Sequence, residues 1–377
     1  MKLAGLKVLD LSMFLPGPMV TLMLADHGAD VIKIEPMGAG EPTREIGEVK
    51  NGLSVYFRNT QRGKRSIQLN LKDEDQRALF LRLAAEADVI VEAYRPGVAD
   101  RLGVGYAAVS AINPAIVYAS LSAFGQEGRH RDNPAHDLAV QALAGTLPLG
   151  ADSAGRPVMP GALIADAFSS LTALSGILMA LYRRATTGRG DFVDISMFDS
   201  VIAWTPHATG PVFARGEAPE LMRSRFWGGA AMYGLYQTLD ERWIALGGSE
   251  IKFAENLLAK LGRLDLLPLA RQPPGDGQEP LRAFFRQTFA TKTQAHWVEW
   301  FEGLDVCFAP VRTLAEAFAD PFLAERGMLS HDADGSEVIG TPIRFRNEPG
   351  APNPRAPQMN EHAEEIARHG WARGRED

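Results

Sequence analysis

Cysteine is nearly missing from this chain: Cys307 is the single one in 377 residues. That excludes an intrachain disulfide and any cysteine-rich metal site. Histidine is sparse at eight, and no HExxH, CxxC or His-x-His spacing occurs, so no metal is expected. Positive charge is not in excess. The 39 Lys and Arg against 46 Asp and Glu leave a net charge of −7, which speaks against wholesale nucleic-acid binding. No apolar run free of charges and turns reaches the roughly 18 residues of a membrane span, so no membrane partner is expected. Met1 to Leu11 read as the approach to a strand and lack a signal-peptide layout, which gives a cytoplasmic expectation. A Gly-x-Ser-x-Gly elbow is absent. Gly38-Ala-Gly40 and Gly103-Val-Gly105 do not complete a dinucleotide loop.

What is present is a hydrophobic content of 46% and a charged content of 23%, the balance of a soluble globular protein with a sizeable core. Lys7–Leu11 and Val31–Glu35 read as strands on either side of a helix over Met19–His27. Strand, helix, strand within about thirty residues is a βαβ unit and predicts a parallel sheet. Ser66–Leu71, Val89–Ala93, Ile116–Leu121 and Val193–Ser196 extend it, with helices over Glu74–Ala87, Ala167–Arg184 and Met197–Trp204. The predicted class is α/β, a doubly wound, Rossmann-like sheet over 1–205, with its sites at the carboxyl ends of the strands. A linker over 206–224 leads to a smaller α+β domain over 225–330. There Met232–Leu239 and Trp243–Gly247 form a hairpin turning at Asp240-Glu241, and a helix runs over Glu250–Leu261.

The stretch from Pro134 to Arg184 concentrates the proton-active candidates. His136 and Asp166 each stand just before a helix-like segment, where unpaired backbone N–H groups favour negative charge. The bland alternatives are that Asp137 caps the helix Leu138–Ala144 and that Asp166 caps the one after it. The apolar flanks of Asp166, Leu163-Ile-Ala and Ala-Phe-Ser-Ser, would raise its pKa toward a useful range, while the helix start would oppose that shift. Glu250 heads a helix of the second domain and reads equally as a first-turn acid. Lys64-Arg65 and Arg101 flank predicted strand ends, as surface charge or as phosphate contacts. Gly228-Gly229 reads as a turn or a flap. Phe226, Trp227 and Met232 read as an acyl pocket or as core.

Several stretches together resemble the family III CoA-transferases and their relatives, the α-methylacyl-CoA racemases. They are Leu6-Lys-Val-Leu-Asp-Leu followed by Pro16-Gly17-Pro18, Val31-Ile-Lys-Ile-Glu35, Lys64-Arg65-Ser66-Ile, Glu92-Ala-Tyr-Arg-Pro-Gly97, Asn113-Pro-Ala-Ile-Val-Tyr-Ala and Thr187-Gly-Arg-Gly. The resemblance implies an interlocked homodimer and a large domain completed by the C-terminal segment 331–377. It implies an acyl-CoA substrate, with CoA arriving on the substrate and no bound cofactor. By motif position it implies CoA contacts from Phe14, Leu15, Pro16, Leu69, Ala93, Tyr94, Arg95, Arg101, Asp137 and Met197. Pro36 departs from the family's frequent Arg, a phosphate contact. Transferases of the family use the aspartate matching Asp166 as a nucleophile. Racemases carry His-Asp at 136–137, Asp at 166 and Glu at 250, with His and Asp on opposite faces of the α-carbon and Glu supporting the His. Ala162 replaces an Asn common in racemases, and Gly40–Asn59 looks more like the transferase branch. The implied activity is epimerisation of 2-methylacyl-CoA thioesters, with CoA transfer between carboxylic acids as the alternative.

Overall fold

A computed structural model describes residues 1–152 and 154–372. Ser153, inside the predicted loop 150–157, and the end of the C-terminal segment, 373–377, lie outside the described residues. The chain divides into two compact units. The first comprises Met1–Ala144, Pro160–Trp204 and the segment from Pro321; the second comprises Gly145–Met159 and Thr205–Asp320.

The first unit is built on six parallel strands: β1 Lys7–Asp10, β2 Asp30–Glu35, β3 Arg65–Gln68, β4 Val89–Glu92, β5 Val117–Ser122 and β6 Asp191–Ser196. Their order is β3-β2-β1-β4-β5-β6, with Leu9 paired to Ile32 on one side and Ile90 on the other. The order reverses between β1 and β4, so the switch point of a doubly wound sheet falls there. Alternate residues serve opposite cores. Leu9, Ile32, Ile90 and Tyr118 enter one cluster, while Val8, Val31, Val89 and Val117 enter the other. Both faces are therefore dry, as in parallel sheets generally.

Helix α1 (Pro16–Asp26) starts with proline in its first turn, where a missing N–H costs nothing. Gly17 is obligatory there, because a Cβ would lie 2.1 Å from the Ser12 Cβ. Helix α2 (Val55–Gln61), which the sequence reading did not predict, is capped by Ser54 accepting from the Phe57 N–H. Helix α3 is Asp137–Leu143, α4 is Ile164–Thr187 and α5 is Met197–Ala203. By length and composition α4 is apolar enough to cross a membrane, although Asp166 and Arg183 bound its charge-free stretch. Its inner face, Ala173, Leu174 and Ile177, is core against the sheet. Its outer face leaves Met179 66% and Tyr182 82% exposed.

The C-terminal segment returns to this unit. His362 donates its N–H to the Ser66 carbonyl at 3.0 Å, and Asn360 accepts from the Gln68 N–H at 2.8 Å. Ile366 and Trp371 complete the core beyond β3. The segment thus covers an edge strand that would otherwise offer unpaired backbone.

Charge is buried as deeply as the apolar core. Asp10, Lys33, Glu41 and Lys64 have fully buried side chains. Lys33 Nζ lies 3.2 Å from Glu41 and 3.5 Å from Asp10, and Lys64 Nζ lies 3.0 Å from Asp10. Burial alone would push the Asp10 carboxyl up, but the two lysines and the hydroxyls of Ser12 and Thr21 hold it well below the usual range.

The second unit is a three-stranded antiparallel sheet with helices. Its strands are β7 Tyr233–Gln237, β8 Trp243–Gly247 and β9 Phe308–Pro310, with β8 in the centre. The predicted hairpin is present, and Glu241 takes a left-handed φ of 59° in its turn. Helices α6 (Ile251–Lys260), α7 (Glu279–Phe289) and α8 (Gln294–Phe301) bury Leu257, Phe285 and Trp297 in one cluster.

Removing one member of a buried ion pair leaves its partners uncompensated. Lys33→Met should lower the free energy of urea unfolding by about 3–5 kcal/mol, read as a drop in the denaturation midpoint.

Candidate active site

His136 occupies the N-cap position of α3, in extended conformation (φ −119°), and its side chain makes no cap bond. Asp137 is therefore the first helical residue, which removes the alternative reading of it as the cap. Its carboxylate turns the other way. One oxygen accepts the N–H groups of Ala165 (2.8 Å) and Asp166 (3.2 Å), and the other accepts from the Gln141 side chain at 2.5 Å. Asp137, 4% exposed, thus supplies from outside the cap that α4 lacks, since Leu163 at the N-cap has no side-chain acceptor.

Asp166 lies inside the first turn of α4, not before it as the sequence suggested. Its carboxyl is pushed up to about 7, first by burial and then by the neighbouring charge of Asp137. The donors of the helix start would oppose that shift. Two of them are already bound to Asp137, so burial prevails. Ser169 and Ser170 both donate to the Asp166 carbonyl, at 3.0 and 2.8 Å.

Ser170 also donates to the Pro16 carbonyl at 2.8 Å, fastening the β1–α1 loop to the same helix turn. In that loop Phe14 has a left-handed φ of 64°. Its ring stands edge-on to His136, with centroids 5.9 Å apart and planes at 84°. The structure thus brings Phe14, Pro16, His136, Asp137 and Asp166 together in one unit. Tyr56 on α2 joins them and was missed from sequence. Its hydroxyl is pushed up to about 12 by burial, then by Asp166 and Glu41. The readable signal was Ser54 ahead of Val-Tyr-Phe, an N-cap before an apolar turn.

The other candidates fall into three kinds. Leu69 and Met197 are 5% and 7% exposed, and their side chains serve core clusters. Ala93 and Tyr94 follow β4 at the switch point, the Tyr94 N–H donating to Glu92 at 2.7 Å. Leu15 is half-buried, while Arg95 and Arg101 are exposed. Arg95 lies on a cleft of about 230 Å³ with Asp100, Tyr106 and Gln126, at whose floor burial raises Glu92 to about 7. The phosphate-contact reading of Lys64 and Arg65 is overturned. Lys64 is enclosed by Asp10, Gln61 and the Pro18 carbonyl, and Arg65 is buried against Asp30 at 2.6 Å.

In the second unit Glu250 is the N-cap residue of α6, exposed and without a side-chain cap bond. Nearby, Arg225 donates to Ser249 Oγ at 2.5 Å. Phe226, Trp227, Gly228 and Tyr233 line an open cavity of about 530 Å³, whereas Met232 is core. Among the described residues no three of His, Cys, Asp and Glu gather in a way that could hold a metal ion.

The model of CoA-transferase family III matches residues 3–363. The chain belongs to that family. Acetyl-CoA:oxalate CoA-transferase of Acetobacter aceti is 36% identical over 92% of this chain and 92% of its own. Human alpha-methylacyl-CoA racemase is 34% identical over 97% of this chain and 92% of its own. The crystal structure of a CAIB/BAIF family protein from Brucella suis superposes with a TM-score of 0.85 at 30% identity, covering 98% of this chain and 99% of that one. The six-stranded parallel sheet is thus the family's fold, and CoA acts as a substrate in this family. Relatives of nearly equal identity are transferases and racemases, so the family membership makes the chain an enzyme of one kind or the other.

Asp137→Asn keeps an acceptor oxygen for the α4 start but removes the charge that adds to burial. The Asp166 pKa should fall below that of the wild type yet stay above the ordinary carboxylate range, read by carbon-13 NMR titration of the aspartate carboxyls.

Proposed function

We propose that the protein moves the α-proton of an acyl-CoA thioester, epimerising 2-methylacyl-CoA substrates. The observation that carries this reading is a histidine, His136, carried next to the Asp166 turn by the Asp137 bridge. That bridge ties the turn bearing His136 to the helix turn bearing Asp166, and it helps to raise the Asp166 carboxyl to about 7. A general acid–base is most effective when its pKa lies near the working pH. A carboxyl raised into that range can serve as acid or base with little penalty either way. One of the two groups removes the α-proton and leaves an enolate; the other delivers a proton to the opposite face. By the family resemblance His136, Asp166 and Glu250 correspond to the residues that racemases use.

A second reading is CoA transfer between carboxylic acids, favoured by the similarity to the oxalate CoA-transferase. There the Asp166 carboxylate attacks the thioester carbon and expels CoA thiolate, giving a mixed anhydride. The thiolate then attacks the aspartyl carbonyl, releasing the first acid and leaving an aspartyl-CoA thioester.

The deciding experiment supplies one enantiomer of a 2-methylacyl-CoA in D2O without acceptor acid. Deuterium at the α-carbon with loss of optical purity is expected, and His136→Ala should abolish exchange from one enantiomer more severely than from the other. No exchange, together with an Asp166-linked thioester trapped by hydroxylamine, would replace proton transfer by CoA transfer. Equal and mild losses from both enantiomers would overturn the two-base assignment.

The same reading includes a homodimer. Its support is the outer face of α4, where Leu171, Leu178, Met179 and Tyr182 are exposed on one helix, more apolar surface than a solvated helix normally shows. Sedimentation velocity should give twice the chain mass, and Met179→Glu with Tyr182→Glu should shift the boundary toward the monomer. A monomer in the unsubstituted protein would overturn it.

A further inference from the structure

Phe14 is one of five described residues other than glycine with positive φ, and the only one of them placed against the candidate site. A bulky aromatic adopts that conformation only where its surroundings impose it. What imposes it here is Glu41. The Phe14 N–H donates to Glu41 Oε1 at 2.8 Å. Glu41 is itself held from several sides. Its own N–H donates to Glu35 at 2.8 Å, Thr43 donates to Oε1 at 3.2 Å, and Lys33 lies 3.2 Å from Oε2. Lys33 in turn donates to the Ser12 carbonyl, so the cluster grips the loop on both sides of Met13.

The ring that this backbone places is the one edge-on to His136. His136 is exposed and its side chain makes no cap bond, so the Phe14 ring is the described neighbour that bears on its orientation. We infer that Glu41 is a positioning residue for His136, acting through the Phe14 backbone and ring. The consequence for turnover rests on His136 being a proton-transfer group; the positioning itself does not.

The test reads His136 directly. In nitrogen-15 histidine-labelled enzyme without substrate, the His136 imidazole signals are assigned with His136→Gln. Phe14→Leu, which removes the ring, should shift those signals and so sets the scale. Glu41→Ala should reproduce much of that shift, while Glu41→Gln, which retains an acceptor oxygen for the Phe14 N–H, should stay near the wild type. In the D2O assay Glu41→Ala should lower the exchange rate about 10- to 100-fold, the range expected from misplacing a reacting group. Glu41→Gln should restore most of it. A folded Glu41→Ala enzyme with wild-type His136 signals would overturn the inference. If Glu41→Ala does not fold, Phe14→Leu and Glu41→Gln decide: unchanged signals in Phe14→Leu, or a Phe14→Leu-like shift in Glu41→Gln, would also overturn it. Variant-dependent His136 signals in an enzyme that exchanges no α-proton would leave the inference standing and remove the racemase reading instead.

Discussion

The large unit depends on charge placed where charge is least comfortable. Asp10 and Lys33 sit at or near the carboxyl ends of two adjacent central strands, and Glu41 and Lys64 close over them without exposure to water. Isolated, any one of these groups would cost several kcal/mol to bury. Together they neutralise one another, and the hydroxyls of Ser12 and Thr21 complete the Asp10 carboxylate. The loop from Leu11 to Pro16 is laid over this cluster and inherits its rigidity. An apolar plug of equal volume would fill the space but offer no acceptor for the Phe14 N–H. A hydrogen-bonded charge cluster imposes a specific backbone path.

A second tether works at a distance of one helix. Residues 137 and 165 are far apart in sequence, yet the Asp137 carboxylate ends the donor row of α4. Ser170 fastens Pro16 to the next turn. The β1–α1 loop and the α3 start are thereby both referenced to the first turn of α4. Two chain segments that could each move as loops are tied to one rigid helix, the arrangement a site needs if reacting groups are to hold their places.

Much of the sheet was legible because period-two and unbroken apolar runs mark buried parallel strands. Lys7–Asp10, Val89–Glu92 and Val117–Ser122 fall where those runs do. Lys33 was not legible. In Val-Ile-Lys-Ile-Glu it looks like the solvent side of an amphipathic strand, but β2 is covered on both faces and its lysine is buried. The helix starts misled for a related reason. Sequence signals assume that a cap comes from the adjacent residue, and Leu163 offers none. The acceptor comes from Asp137, so α4 appeared to start at Ala167, with Asp166 before it, when it starts at Ile164. Lys64 and Arg65 read as available cations because their partners, Asp10 and Asp30, are brought in by the sheet. His136 and Asp166 stood out in the sequence as proton-active residues at two helix starts, but that placement alone also fits ordinary helix caps, and their opposed roles came from the family resemblance.

The cross-helix cap bears on the chemistry through what it withholds. A carboxyl in a first helical turn is ordinarily kept ionised by the N–H groups beside it. Here Asp137 has taken the N–H of Ala165 and that of Asp166 itself, and it presents its own negative charge in exchange. The helix start has been turned from a stabiliser of the Asp166 carboxylate into part of what destabilises it. Proton exchange at carbon gains from that inversion, since a base stronger than an ordinary carboxylate is better matched to an α-proton. A nucleophilic carboxylate gains as well, because a poorly solvated anion is more reactive toward a thioester carbon. The shared Asp166 environment is therefore compatible with both chemistries of the family. On the proposed reading, what separates them is the second group, His136, and how firmly its ring is held.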